Sequence, residues 1–349
     1  MIEWNIEQVK RLTELVCDPE GYSESQIAGI MSEESGELFT RDAVHNKIFR
    51  LELRTLVDKP TTDIMPYFNK YREIIESDAV IPKSVRVPNE SGFIDFSGKI
   101  KILYLGDPHI PFQVDEQIQT AVNRNLGADI VVTNEVMDCY SISRFTKSIS
   151  VPFEVEVDNT VRYLEFLSET FPIVYVVGGN HEARLNRAFR TGVPPSLLFL
   201  VNDNILRFLS KPFPNVVTVE RPYMQVNDAV FTHAEYFSKI DLRAGMSAFG
   251  FLREWQGSLG LRDFRLIVQA HSHMLGSTYR AGDFKIMEGG TLTMVPDYAV
   301  DNFYSKPQTN GYIVVVQKDG VTDFNLTREF SFPTQKYIPH WSPVRRHDV

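Results

Sequence analysis

The stretch KILYLGDPHIPF, residues 101–112, decides how this chain is read. Its first half, Lys101 to Leu105, is rich in β-branched and large apolar residues and carries no turn former, which predicts a buried strand. Gly106 is expected to turn the backbone, delivering Asp107 and His109 at the strand's C-terminal end. In an open α/β sheet that edge is where ligand chemistry usually sits. A carboxylate and an imidazole two residues apart suit a divalent metal that takes hard and borderline ligands together. The same Asp-x-His pair alone also suits a capped loop, so its weight comes from what lies downstream.

From residue 99 the sequence alternates. KIKILYL, ADIVVT, PIVYVVG, NVVTVE, AVFTH, RLIVQAH, FKIMEGG and YIVVVQ read as strands. Helical patterns fall at 115–126, 158–170, 183–190 and 240–256, and alternation of this kind makes an α/β domain. Five polar elements stand at successive strand ends: GDPH (106–109), NEVMD (134–138), GGNHE (178–182), THAE (232–235) and QAHSH (269–273). Five of the eight histidines lie in them.

In order and residue type these elements resemble the calcineurin-like metallophosphoesterase superfamily, over residues of about 99 to 320. Its pattern is D-x-H, G-D-x-x-D, G-N-H-E/D, a lone His and G-H-x-H. The resemblance implies a four-layer α/β/β/α sandwich with two divalent metal ions at the strand ends. Asp107, His109 and His273 would hold one ion, and Asn180, His233 and His271 the other. Glu135 would bridge them, because two cations held close together need a shared anion. Hydroxide generated between the metals would attack phosphorus, with His181 assisting the leaving oxygen and Asp138 orienting His181. Asn134-Glu135 replaces the family's Gly-Asp, and Asn134 is expected to carry any positive φ there. Ala270 replaces the Gly of G-H-x-H. Mixed Asp, His and Asn ligands suit manganese, iron, zinc and nickel about equally, and availability decides, with manganese taken as the first candidate. Arg144 and Arg184 are candidates to touch a substrate phosphate, although surface solvation suits each as well.

Upstream, residues 1–56 read as three short helices. Asn5 with Gln8, and Ser23 with Gln26, form capping boxes, and Thr40 can cap a third helix. On that third helix Lys47, Arg50 and Arg54 share a face able to meet phosphates. SESQIAGIM and TRDAVHNKIFRLEL are similar to the DNA-binding start of GcrA-type regulators, which implies a helix-turn-helix and DNA as partner. A solvated amphipathic helix in a protein-binding domain is the alternative, since residues 1–56 carry six basic against eleven acidic residues. Four prolines between 57 and 98 suggest a linker region, ahead of a catalytic domain at 99–330 and a tail at 331–349.

A net charge of −9 argues against a surface coated for non-specific nucleic-acid binding. Two cysteines are too few for a disulfide framework and suit a reducing cytoplasm. No apolar run approaches the ~20 residues that span a membrane. The expectation is a cytoplasmic, metal-dependent phosphodiesterase, a DNA nuclease of bacterial or bacteriophage type. The alternatives are a phosphatase or small-nucleotide phosphodiesterase with a protein-binding N-terminus, or a DNA-binding protein with a degenerate site.

Overall fold

The apolar alternation of the strand at 99–106 sets the layers. Leu103 and Leu105 point to one side and Ile102 and Tyr104 to the other, and all four are fully buried. The structure, a computed structural model, describes residues 6–16, 22–50, 85–143, 151–184, 205–236, 238–280, 283–295 and 308–334. By contacts the chain divides into two units, residues 1–73 and 74–349.

The first unit has three described helices: α1 (Ile6–Val16), α2 (Glu24–Ser35) and α3 (Arg41–Arg50). Leu12, Leu15, Ile27, Met31, Val44 and Ile48 form its core. Ser23 and Gln26 make the expected reciprocal cap on α2, and Gly36 closes that helix in the left-handed conformation. Thr40 Oγ1 accepts the Ala43 N–H at 3.2 Å at the start of α3.

The second unit contains β1 (Phe93–Ile94), β2 (Lys99–Gly106), α4 (Asp115–Asn123), β3 (Ile130–Asn134), α5 (Phe153–Thr170) and β4 (Val174–Val177). There follow α6 (Ile205–Ser210), β5 (Val216–Val219), β6 (Tyr223–Val226), β7 (Ala229–Thr232), α7 (Arg243–Glu254) and α8 (Gln256–Leu259). The chain then continues through β8 (Leu266–Gln269), β9 (Leu275–Arg280), β10 (Phe284–Gly289), β11 (Gly311–Lys318), β12 (Val321–Thr322) and β13 (Arg328–Ser331). One sheet runs β12-β11-β2-β3-β4-β5, with β13 also pairing β11, and the other runs β1-β6-β7-β8-β10-β9. Their facing sides share a core that includes Ile102, Tyr104, Val132 and Tyr175 from the first and Met224, Phe231, Val268 and Met287 from the second. α4, α5 and α6 cover the outer face of the first sheet through Ile118, Leu164 and Leu206. α7 covers the outer face of the second through Ala248 and Leu252. Helix, sheet, sheet, helix is the four-layer order expected.

All eight expected strands are present. β6, β9 and the short β1, β12 and β13 were not foreseen. β9 is an edge strand carrying Gly276 and Ser277, without the apolar signature of a central strand, whereas β6 is buried throughout and apolar except for Gln225. β1 pairs in parallel with β6, so the sheets begin before residue 99. Among the described residues no helix is long and apolar enough to cross a membrane. Of the expected helix at 183–190, residues 183 and 184 are helical and 185–190 lie outside the described residues, as does the tail from 335 onward.

Candidate metal centre

Strand register assembles the site. In the first sheet Gly106 stands level with Asn134, and Asn134 with Val177. Asp107, Glu135 and the 178–182 turn therefore leave the sheet at one edge. In the second, Thr232 stands level with Gln269, so His233 and the 270–273 run leave together. Beyond the strands the backbones stay zipped: Ile110 N–H donates to Val136 O at 2.8 Å and Asp138 N–H to Ile110 O at 2.9 Å.

Two sequence expectations about these turns need correction. Gly106 still belongs to β2, and the left-handed residue is Asp107 (φ 45°). Likewise Asn134 ends β3 and Glu135 carries the positive φ, 45°. His109 (46°), His271 (65°) and His273 (53°) are also left-handed. A non-glycine residue there costs of order 1–3 kcal/mol and persists only where its surroundings enforce it, a pattern concentrated at functional sites. Gly106 has another task. A Cβ there would come within 2.9 Å of the Tyr104 ring, whose hydroxyl donates to Asn134 Oδ1 at 3.0 Å. Ala270, in place of a family glycine, is buried and is not among the positive-φ residues.

The side chains converge on Glu135. Oε2 lies 2.6 Å from His233 Nε2 and 3.5 Å from His109 Nε2, while Oε1 accepts the His181 N–H at 2.9 Å. His109 Nε2 is 3.0 Å from His273 Nε2. Asp107 sits between, with Oδ1 3.6 Å from His233 Nε2 and Oδ2 3.8 Å from His273 Nε2. Two groups of donor atoms close enough to share an ion result, His109–Glu135–His273 and Glu135–His233–His271, with Glu135 common to both. Asp107, Glu135 and His233 make a dry floor, and His181, His271 and His273 are only half-buried at the rim. Asn180 stands in the turn before His181, with its Oδ1 shielded from solvent. The longer arm of Glu135 finds its room at Gly179, where a Cβ would come within 2.8 Å of the glutamate's own Cβ and Oε1.

Asp138 holds two imidazoles at once. Its Oδ2 is 3.0 Å from His109 Nδ1 and 3.1 Å from His181 Nδ1. Arg184 donates to the Asp138 carbonyl at 3.0 Å and to Oδ1 at 3.3 Å, and its other nitrogen meets His181 Nε2. The donor set His109, Asp138 and His181 also lies close enough to share an ion. Glu182, not singled out in the sequence, accepts the Gly179 N–H at 2.9 Å and the Met137 N–H at 3.1 Å, tying two site loops together. Its place as the fifth residue of GGNHE was the available signal.

Electrostatics favour cations. Burial opposes ionised Glu135, yet His181, His233 and His109 outweigh it and hold that carboxyl well below its usual range. Burial likewise opposes charge on His109 and His233, but Glu135 above all outweighs it and raises each to about 9. Asp107 is pushed up by burial to about 6, against the pull of His233. Its Oδ1 and His233 Nδ1 are buried without a hydrogen-bond partner. Carboxylates that recruit protons onto neighbouring imidazoles, beside an uncommitted buried oxygen, fit divalent ions of the borderline kind.

Lys47 is half-buried in α3 of the first unit, and Arg50 ends that helix. Arg54 and Arg144 lie outside the described residues.

No protein-family model matches the sequence, and a search of curated proteins found no match. Among solved structures the chain is similar to Vps29 of Chaetomium thermophilum, at 10% identity and a TM-score of 0.33, covering 68% of this chain and 98% of that one. A Thermotoga maritima protein solved by NMR is similar at 12% identity and a TM-score of 0.30, covering 67% and 99%. A structure described as a candidate diadenosine tetraphosphatase is similar at 15% identity and a TM-score of 0.32, covering 70% and 98%. All three are distant likenesses.

Proposed function

We propose that this chain is a dinuclear metal-dependent phosphodiesterase acting on DNA, brought to it by the three-helix unit. The observation that carries the metal reading is Glu135, shared by two donor groups that each add two histidines. Asp107, His109, Glu135 and His273 would hold one ion, and Glu135, Asn180, His233 and His271 the other. Two such ions supply Lewis acidity toward a phosphoryl group and bring the pKa of water toward 7, and manganese is the first candidate.

The chain's own residues do the rest. Asp138 fixes His109 with Nδ1 toward the carboxylate, leaving Nε2 for the metal side, a usual arrangement for ligand histidines. The same oxygen orients His181. Arg184 now lies against His181 Nε2, and an entering phosphate competes for that guanidinium. Once released, Nε2 can take up a proton from solvent, with Asp138 holding Nδ1, and pass it to the leaving oxygen.

The DNA assignment rests on joining the two units. Arg41 at the start of α3 is well exposed, and Lys47 follows on the same helix. A second reading, a phosphatase or small-nucleotide phosphodiesterase with a protein-binding N-terminus, draws support from an acidic residue that already engages one of these cations. Arg41 lies 3.7 Å from Glu24. Elemental analysis of the purified chain, with a panel of duplex DNA, single-stranded DNA, phosphopeptide and cyclic nucleotide, separates these. Two ions per chain and cleavage of DNA are expected. Phosphopeptide or cyclic-nucleotide turnover without DNA cleavage supports the second reading, and absence of bound metal leaves a DNA-binding protein with a degenerate site.

A further inference from the structure

His271 and His273 are separated by one residue and serve different donor groups, His271 with Glu135 and His233, His273 with His109 and Glu135. Both are left-handed, so the run from 271 to 273 is a strained backbone that something must hold. Asp107 Oδ2 accepts the His271 N–H at 2.8 Å, and the His273 carbonyl accepts the Thr309 N–H at 2.8 Å. Ser272, between them, faces the other way and is 1% exposed. Its hydroxyl donates to Glu288 Oε2 at 3.0 Å and accepts the Met274 N–H at 3.3 Å.

Glu288 is an unusual acceptor to find there. It stands near the end of β10, 1% exposed, and none of the proposed chemistry uses it. Its second oxygen accepts the Gly245 N–H at 2.9 Å, in the first turn of α7. That helix has Leu242 at its N-cap, with φ 62° and no side-chain cap of its own. Glu288 therefore supplies an acceptor that the helix start lacks, where partial positive charge favours a carboxylate. Gly245 makes the approach feasible: a Cβ there would come within 3.3 Å of Glu288 Cγ and 2.9 Å of Ile286 Cγ2. Both carboxylate oxygens are thus committed, one to a helix N-terminus and one to the histidine loop.

We infer that Glu288 is a positioning residue for the metal centre, anchoring Ser272 to the start of α7 so that His271 and His273 face opposite sides of Glu135. The inference rests on the metal reading of the site. Since one anchor serves both histidines, its loss weakens both metal-binding steps together. A residue important for packing alone lowers thermal stability without that joint effect.

The test is titration of manganese chloride into full-length protein stripped of metal, for wild type, Ser272→Ala, Glu288→Gln and the double variant. In Glu288→Gln the amide can accept from Gly245 or from Ser272 but not from both. Loss of such a supporting partner typically weakens metal binding about 10–100-fold, which is expected in both steps for each single variant. The double variant should be no worse than the weaker single one, because the two side chains act as a pair. Thermal unfolding of the stripped proteins controls for folding, and if Glu288→Gln does not fold, Ser272→Ala decides alone. Ser272→Ala within twofold of wild type, weakening confined to one step, or fully additive losses would overturn the inference. A wild type that takes up no manganese overturns the metal reading itself, and this inference with it.

Discussion

Glu135 carries one methylene more than an aspartate would, and its two oxygens reach three histidine side chains and one backbone N–H. If it bridges two cations, Glu135→Ala should abolish phosphodiesterase activity and lower metal content, since the cations would face each other unscreened. Glu135→Asp should keep part of both. Full metal loading in the alanine variant, read by elemental analysis, would remove the bridging role. Gly179→Ala should weaken metal binding without unfolding the chain, because its Cβ presses on Glu135. The imidazoles make a separate prediction. His109 and His233 are held protonated up to about pH 9, and divalent ions need them neutral. Metal uptake at pH 7 should therefore expel up to about two protons, with affinity rising toward pH 9 and levelling above it. Calorimetry in buffers of different ionisation heat reads the protons directly, and equal heats in all buffers would contradict the prediction.

At the scale of elements, α5 supports the site from behind. Glu156 on that helix accepts the Tyr140 N–H at 2.8 Å and the Ser141 N–H at 2.7 Å, holding the short 3-10 turn at 140–142 that follows Asp138. Burial pushes its carboxyl up to about 7, although the hydrogen bonds from Ser141 and Tyr140 pull the other way. An acid with a raised folded-state pKa binds more protons folded than unfolded between about 4.5 and 7. Its contribution is fully present below 4.5 and is lost as pH rises through 7, about 3 kcal/mol in all. Urea unfolding at pH 4.5 and 7.5 should show wild type losing up to that much more stability than Glu156→Gln across the interval. Parallel pH profiles for the two proteins would show that Glu156 stays ionised throughout.

For the whole molecule the question is division of labour. Every residue placed at the metal centre lies between 107 and 273, while the first unit has a core of its own. Removing residues 1–56 should leave hydrolysis of a small nitrophenyl diester nearly unchanged and reduce cleavage of long duplex DNA. In the intact chain, changing Lys47, Arg50 and Arg54 together to Ala should flatten the salt dependence of DNA binding by about three charges at most. A salt titration of duplex binding on intact protein, triple variant and truncation checks this. If all three bind alike, the N-terminal unit is not a DNA reader.

The sequence by itself determined the parts list and the α/β class, and the four layers followed only from the resemblance. The buried strand at 101–105 and the alternation of strands with helices needed no tertiary information, because a continuous apolar run without turn formers marks a strand covered on both faces. The five polar elements were equally legible, since each sits where a strand runs out. Tertiary structure alone decided how they meet. That Glu135 belongs to both donor groups depends on parallel registers in one sheet and the stacking of a second sheet over it, neither of which is local. The left-handed positions fell on Asp107 and Glu135, and not on Gly106 and Asn134, because β2 and β3 stay paired through Gly106 and Asn134 and so hold both in extended backbone. Glu182, Glu156 and Glu288 were invisible as site residues for the same reason: a buried carboxylate acts through the backbone N–H or hydroxyl it accepts, and which group that is depends on chain segments 3 to 45 residues away.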